Sequence, residues 1–385
     1  MNHAARWDIF CNVVDHFGDI AVSWRLARQL SREYGFTVTL YVDDLETFTA
    51  LQPSVDGTLA DQLVDGVQVR RWCDTTDFDE PGDVVVDAFG SRAPAAFLAA
   101  MVKRARPPVW INLEYLSAED WIEDCHTVGS PHPQLPLTRY FYFPGFTAAS
   151  GGVLEELPLA QERLDFLGDA AARSHLRETW NLPPPDPGTP VISLFGYGGP
   201  SVGSLLTAWS HGTEPMHVIV PESRILADVL AFFGAKTGRP GDSFRRGVLD
   251  AHVIPFLTQA TYDRLLWLCD CNFVRGEDSF VRAQWAEHPF IWNIYAQEGG
   301  AHWAKLHAFV TRYGAGLEEE AVHAVREFWR LWNRGESDAS VIGSAWRRFW
   351  SHREDLQAHN AAWAAQLRSH GDLAANLVRF AVERL

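Results

Sequence analysis

Short apolar runs alternate with helix-compatible stretches through the first half of this chain, stop at a proline-rich segment, and then begin again. Trp7 to Val14, Phe36 to Val42, Val67 to Trp72, Val84 to Ala88 and Val109 to Leu113 read as strands, while Ile20, Trp24, Ala27 and Leu30 recur at helical spacing over Ile20 to Tyr34. A βαβα order implies a parallel sheet covered by helices, whose ligands bind outside the carboxyl ends of the strands. Asn181 to Pro190 carries Pro183, Pro184, Pro185, Pro187 and Pro190, which cannot continue a helix or a central strand, so it reads as a linker. Strand candidates then return at Val191 to Phe195, His217 to Val220, Ala251 to Pro255, Cys271 to Val274 and Phe290 to Ile294, with helices at Ser201 to Ser210 and Thr261 to Cys269. From Leu317 onward the pattern is wholly helical; Val322, Val325, Phe328, Trp329 and Trp332 form one core stripe, and Ile342, Ala345, Trp346 and Phe349 another. The expected architecture is α/β: one domain over 1–180, a second over 181–320 with a cleft between them, and C-terminal helices over 321–385.

At 385 residues the chain can bury two cores. Its 49 acidic against 33 basic side chains leave a net charge of −16, which disfavours nucleic acid and favours a cationic partner or substrate. Asp8 and Asp15 interrupt any N-terminal signal pattern, and the longest apolar run, Pro94 to Val102, is too short to span a bilayer, so a cytoplasmic protein with no membrane partner is expected. Five cysteines, mostly in apolar strand-like surroundings, read as reduced core thiols. Neither the C-x-C of Cys269 and Cys271 nor the 15 scattered histidines offers a ligand spacing, and no metal site is expected.

Chemistry concentrates at three kinds of strand end. In the run Asn272 to Ala286 an apolar strand passes through Arg275-Gly276-Glu277-Asp278-Ser279 into a helix. Helix-start N–H groups, the macrodipole and a guanidinium suit a phosphate, while the two carboxylates suit sugar hydroxyls, so a nucleotide sugar is implied. Alternatively Asp278 or Ser279 caps the helix and Arg275 pairs with Glu277. Phe195 and Tyr197, with the glycines around them, end one strand of the second domain, and Phe256 and Gln259 follow another, a stacking ring beside an amide that can read a base edge. In the first domain Asp15 and Asp19 bracket Phe17 and Gly18 at the exit of the first strand, Asp19 doubling as a candidate helix cap. Glu114, Tyr115 and Glu119 follow another first-domain strand, where they face an incoming acceptor or serve as cap and core. No G-x-G-x-x-G follows the first strand, which removes the dinucleotide fingerprint.

These runs together resemble the EarP family of protein-arginine rhamnosyltransferases, which modify translation elongation factor P. The resemblance rests on Asp8 to Cys11 leading into Val13 to Ile20 and Trp24 to Leu30, on Asn112 to Glu119, Phe143 to Thr147 with Gly151-Gly152, Ile254 to Phe256, and Asn272 to Ala286. It implies a GT-B type inverting glycosyltransferase with no cofactor, made of two Rossmann-like domains facing across a cleft with C-terminal helices that pack on the second and return toward the first, using TDP-β-L-rhamnose as donor and translation elongation factor P as acceptor. It further implies Asp15 and Asp19 as catalytic residues, Glu114 and Tyr115 toward the acceptor, and a donor site at Phe17, Gly18, Phe195, Tyr197, Phe256, Gln259, Arg275, Glu277, Asp278, Ser279 and Tyr295. His16 stands where the family carries Asn. The competing readings are a glycosyltransferase or sugar-nucleotide epimerase acting on a small acceptor, and a binding module without turnover.

Overall fold

The computed structural model describes residues 5–13, 17–73, 76 and 78–385, apart from the side chain of Glu298. The chain divides into two compact units, Met1–Leu157 with Gln366–Leu385, and Pro158–Ala365.

The first unit is built on β1 (Arg6–Cys11), β2 (Thr37–Val42), β3 (Asp61–Val64), β4 (Val67–Arg71), β5 (Val84–Ala88), β6 (Val109–Leu113), β7 (Gly129–Pro131) and β8 (Thr138–Tyr142), in the sheet order β3-β4-β2-β1-β5-β6-β8-β7. Pairing is parallel throughout except at the two edges, where β3 and β7 run antiparallel to their neighbours. Valines 84, 85 and 86 are buried on both sides of the sheet, as a central parallel strand demands. One layer gathers Trp7, Ile9, Trp24, Val84 and Val86 with Leu377 of the C-terminal helix Leu373–Val382; the other gathers Phe10, Tyr41, Val85, Phe97 and Trp110. The last helix belongs to this unit through specific polar contacts too. Gln29 donates to Asp372 at 3.1 Å, and Asn376 donates to the carbonyl of Gly151 at 3.2 Å.

The second unit carries β9 (Val191–Leu194), β10 (Met216–Pro221), β11 (Ser243–Arg246), β12 (Leu249–Ile254), β13 (Cys271–Arg275) and β14 (Phe290–Asn293), in the order β11-β12-β10-β9-β13-β14, parallel except for the β11 edge. The helices Leu159–Gly168 and Ala170–Thr179, which the sequence grouped with the first half, pack here: Phe166 meets Trp267 at 5.8 Å, and Arg163 donates to the carbonyl of Ala286 at 2.9 Å. The proline stretch therefore lies inside this unit, since its rigid backbone joins a packed helix to β9, and the change of unit comes ahead of it. The tail stripes are buried as expected except at Val322, which is half-buried, with Phe328, Trp329 and Trp332 against β13 and β14 through Phe273 and Phe290. Of the cysteines, Cys11, Cys269 and Cys271 are core thiols, but Cys73, past the end of β4, is exposed and Cys125, the last residue of the short helix Trp121–Cys125, is half-buried.

Candidate active site

Each sheet has a point where the chain stops adding strands on one side and returns to the other. In the second unit it runs outward from β9 through β10 to β12, then comes back to place β13 on the opposite flank of β9. The loops leaving β9 and β13 diverge there, which opens a crevice at the carboxyl edge. Those loops hold Phe195-Gly196-Tyr197 and Arg275-Gly276-Glu277.

The side chains meet. The Arg275 guanidinium lies over the rings of Phe195 and Tyr197, 4.9 and 4.8 Å from their centroids, and Tyr295, about half exposed, stands edge-on to Tyr197 at 5.6 Å. Two ring faces attract the cation from its flank, and a guanidinium so held can still offer its N–H fork to an anion. The backbone beneath is tied down: Gly276 takes a left-handed φ of 61°, and its carbonyl accepts from Trp292 Nε1 at 2.8 Å. Ser279 accepts from the Arg275 amide at 3.0 Å and donates back to the Arg275 carbonyl. Ser279 therefore staples the turn instead of capping the helix, which begins at Asp278 with Glu277 at its N-cap and no side-chain cap. Across the crevice Gly198 has φ 91°, and a Cβ there would lie 2.4 Å from Asp228 Oδ2, the same oxygen that accepts from the Gly199 amide at 2.8 Å. Glycine is required for this loop to fold against Asp228.

Phe256 and Gln259 follow β12, two strands along the same edge from β9; Gln259 opens the helix Gln259–Leu268 behind the Thr258 cap and is buried. Tyr262, one turn further, was not anticipated. Its ring packs on Phe195 at 5.4 Å, and burial pushes its phenol well above the usual range, so it is a neutral floor for the crevice. Asn293 was also missed: its Oδ1 accepts from the Tyr197 amide at 2.8 Å, and its position at the end of β14 was the available signal.

The first unit has its own return point, between β1 and β5. Asp15 and His16 lie outside the described residues. Immediately before them, Asp43 at the end of β2 accepts from the Val13 amide and from Asn12 Nδ2, both at 2.9 Å, which anchors the loop leaving β1. The helix Gly18–Tyr34 begins with Phe17 at its N-cap, so Asp19 stands in the first turn, 3% exposed, and is not the cap. On the β5 side the buried Asp87 accepts from the Ala93 amide at 3.0 Å and from Trp110 Nε1 at 2.9 Å, and Ser91 donates to the Phe10 carbonyl at 2.7 Å. Burial raises the Asp87 carboxyl to about 6. The loop so held places Phe89 at a left-handed φ of 54°, a strained position for a side chain of this size. Tyr115 braces it, packing at 5.2 Å and donating to the Phe89 carbonyl at 3.2 Å, while Glu114 accepts from Asn112 and Glu119 closes a turn with Ser117. Among the described residues no cluster of three His, Cys, Asp or Glu side chains could hold a metal, and no helix is long and apolar enough to cross a membrane.

Two sheets that are parallel apart from their edges, each with a return point, and a helical C-terminus define the GT-B type of α/β fold used by glycosyltransferases. A glycosyltransferase from Rickettsia africae shares it over 100% of this chain and 99% of its own, with a TM-score of 0.54 at 10% identity. The family described as Elongation-Factor P (EF-P) rhamnosyltransferase EarP matches residues 7–382. A protein-arginine rhamnosyltransferase of Pseudomonas putida is 46% identical over 376 residues, covering 98% of each chain. A structure solved for EarP-mediated arginine glycosylation of translation elongation factor EF-P superposes with a TM-score of 0.69 at 34% identity, covering 99% of this chain and 100% of that one. This chain belongs to the EarP family.

Proposed function

We propose that the chain transfers L-rhamnose from TDP-β-L-rhamnose to an arginine side chain of translation elongation factor P, with inversion at the anomeric carbon. Family membership supports a rhamnosyl transfer to protein arginine, and the observation that carries the donor assignment is the Arg275 guanidinium stacked over Phe195 and Tyr197 at the return point of the second sheet.

The acceptor poses the energetic difficulty. A guanidinium has a delocalised lone pair and a reference pKa near 13 against about 4 for a carboxylic acid, so full deprotonation by an aspartate costs roughly 12 kcal/mol at about 1.36 kcal/mol per unit. Asp15 and Asp19 therefore act by gripping the guanidinium, localising its electrons through charge-assisted hydrogen bonds, and taking the proton late, as the new C–N bond forms. Tyr115 and Glu114 line the acceptor side, and Phe17 and Gly18 stand beside the sugar. On the donor, Arg275 and the start of the helix Asp278–Ala286 compensate the charge that gathers on the leaving diphosphate, the role a divalent cation fills elsewhere, while Glu277 and Asp278 accept from sugar hydroxyls. Phe195, Tyr197, Phe256 and Gln259 hold the nucleoside, and Tyr295 lies toward the diphosphate. The donor itself is the only small molecule required, and the reaction belongs in the cytoplasm, where elongation factors work.

Incubation with TDP-rhamnose and purified elongation factor P should add the mass of one deoxyhexose to the acceptor, with an α-linked product by NMR. Asp19→Asn should abolish transfer and leave donor affinity within about twofold, since it removes charge and not shape. A folded D19N protein that still modifies the acceptor at the wild-type rate refutes the carboxylate's role.

A further inference from the structure

The helix Glu319–Arg334 lies in the C-terminal helical segment, outside the alternating α/β pattern, and its buried face is almost wholly apolar. Asn333, in its last turn, is the exception. Its Oδ1 accepts from the Ile294 amide at 2.9 Å and from Asn293 Nδ2 at 3.2 Å, while its Nδ2 donates to the carbonyls of Trp292 at 2.8 Å and Trp329 at 2.9 Å. Two acceptances and two donations use the whole capacity of a side-chain amide. Only one orientation serves, because turning the amide over would set its NH2 against the Ile294 N–H.

The chain of contacts continues. Asn293 Oδ1 accepts from the Tyr197 amide at 2.8 Å, and a Cβ on Gly196 would come within 3.0 Å of that same oxygen, so the β9 loop presses directly on it. One terminal amide thus reaches both halves of the crevice: through Asn293 to the loop bearing Phe195 and Tyr197, and through Ile294 to the segment bearing Tyr295. Tyr197 and Tyr295 meet at 5.6 Å, and Tyr197 in turn supports Arg275.

We infer that Asn333 is a positioning residue for the donor: through Asn293 it sets Tyr197 and Tyr295, and hence the Arg275 plane, in the register the nucleoside diphosphate needs. The inference rests on reading this edge as the donor site. Freed from Asn333, the two loops lose their common anchor, and the binding-competent arrangement of the rings falls to a fraction of the population, which weakens apparent affinity by that fraction.

The test is calorimetric titration of TDP-rhamnose into the full chain, with steady-state kinetics beside it. Asn333→Ala should weaken donor binding roughly fivefold to tenfold, the scale of one or two lost hydrogen bonds, and raise the donor KM while kcat at saturating donor stays within about twofold. Asn333→Asp, which keeps the shape and both accepting contacts but faces two carbonyls with a carboxylate, should weaken it as well. In a Y197A/Y295A background the Asn333→Ala substitution should add nothing, because the rings it positions are gone. Should N333A fail to fold by circular dichroism, Asn293→Ala reports the same comparison from the middle of the relay. Unchanged affinity in a folded variant, or an equal loss in the Y197A/Y295A background, overturns the inference. A wild-type chain that does not bind TDP-rhamnose overturns the donor-site reading, and the inference with it.

Discussion

Arg275 shows how one residue combines two demands. In the proposed function its charge answers the diphosphate of the donor, while the guanidinium is held over both the Phe195 and Tyr197 rings. Lysine would keep the charge and lose both the plane and the two-pronged donation. Arg275→Lys is therefore expected to lower donor affinity by roughly tenfold to a hundredfold, the combined scale of a stacked cation and a charge-assisted hydrogen bond. Titration with TDP-rhamnose checks this, and a variant that binds like the wild type would show that only the charge matters. The place of Arg275 at a strand end ahead of a helix was legible in the sequence because it needs only an apolar run, a glycine and a helix start. Its bed of aromatic rings was not, since Phe195 and Tyr197 lie about 80 positions away and only the sheet order makes them neighbours. Ser279 was legible as a residue of the turn but not in its job, because capping and stapling use the same hydroxyl and differ only in which backbone group comes within reach.

The carboxyl edge of the second sheet is framed by the helices Gln259–Leu268 and Asp278–Ala286, and one buried pair locks them together. Arg282 Nε and Nη2 donate to Asp263 Oδ1 and Oδ2 at 2.9 and 2.8 Å, with side chains 2% and 7% exposed. Both charges have left water, so their value lies in being matched. Asp263→Ala removes the two-pronged acceptor of a guanidinium in the interior and should cost about 3–5 kcal/mol in denaturant unfolding, whereas the joint change D263L/R282M, which removes both charges, should cost much less. Equal losses from the single and the double substitution would mean that packing, not charge compensation, holds the helices. Regular elements of this kind were readable from periodicity: β5 and β6 fall on the expected residues, and most of the other central strands within two. The antiparallel edges β3, β7 and β11 escaped, because they are short, mostly exposed and carry no apolar alternation. One of them had a signal all the same. Asp65-Gly66, both at positive φ, forms the two-residue turn that pairs Val64 with Val67, and an Asp-Gly between strand-forming residues is a hairpin mark.

Across the whole molecule, buried titratable groups oppose one another and their balance decides how the fold responds to acid. Burial depresses His126 to about 4 and His217 to about 3, and lowers His252, His288 and His359 as well. A histidine held below its unfolded value of about 6.5 contributes stability above that pH and loses it as the pH falls toward the folded value, because the unfolded chain binds the proton first. Asp8 and Asp87, both raised to about 6 by burial, have the opposite sign: their contribution is complete below about 4 and is lost as the pH rises through 6, and Asp372, raised by the same cause, acts in the same direction. Among the described residues the lowered histidines therefore oppose the raised carboxyls, and His126 and His217, lowered furthest, make acidification below pH 6.5 destabilising, each uncompensated proton being worth about 1.4 kcal/mol per pH unit. The thermal midpoint should hold above pH 7 and decline from pH 6.5 to 4. His217 isolates one of these protons. Its ring stacks on His252 at 4.3 Å and its Nε2 has no hydrogen-bond partner, so phenylalanine can take the same plane without breaking a contact. His217→Phe should match or slightly exceed the wild-type midpoint at pH 7.5 and show a shallower decline on acidification, by about one proton's worth of slope. An unchanged slope would place the acid sensitivity in other groups.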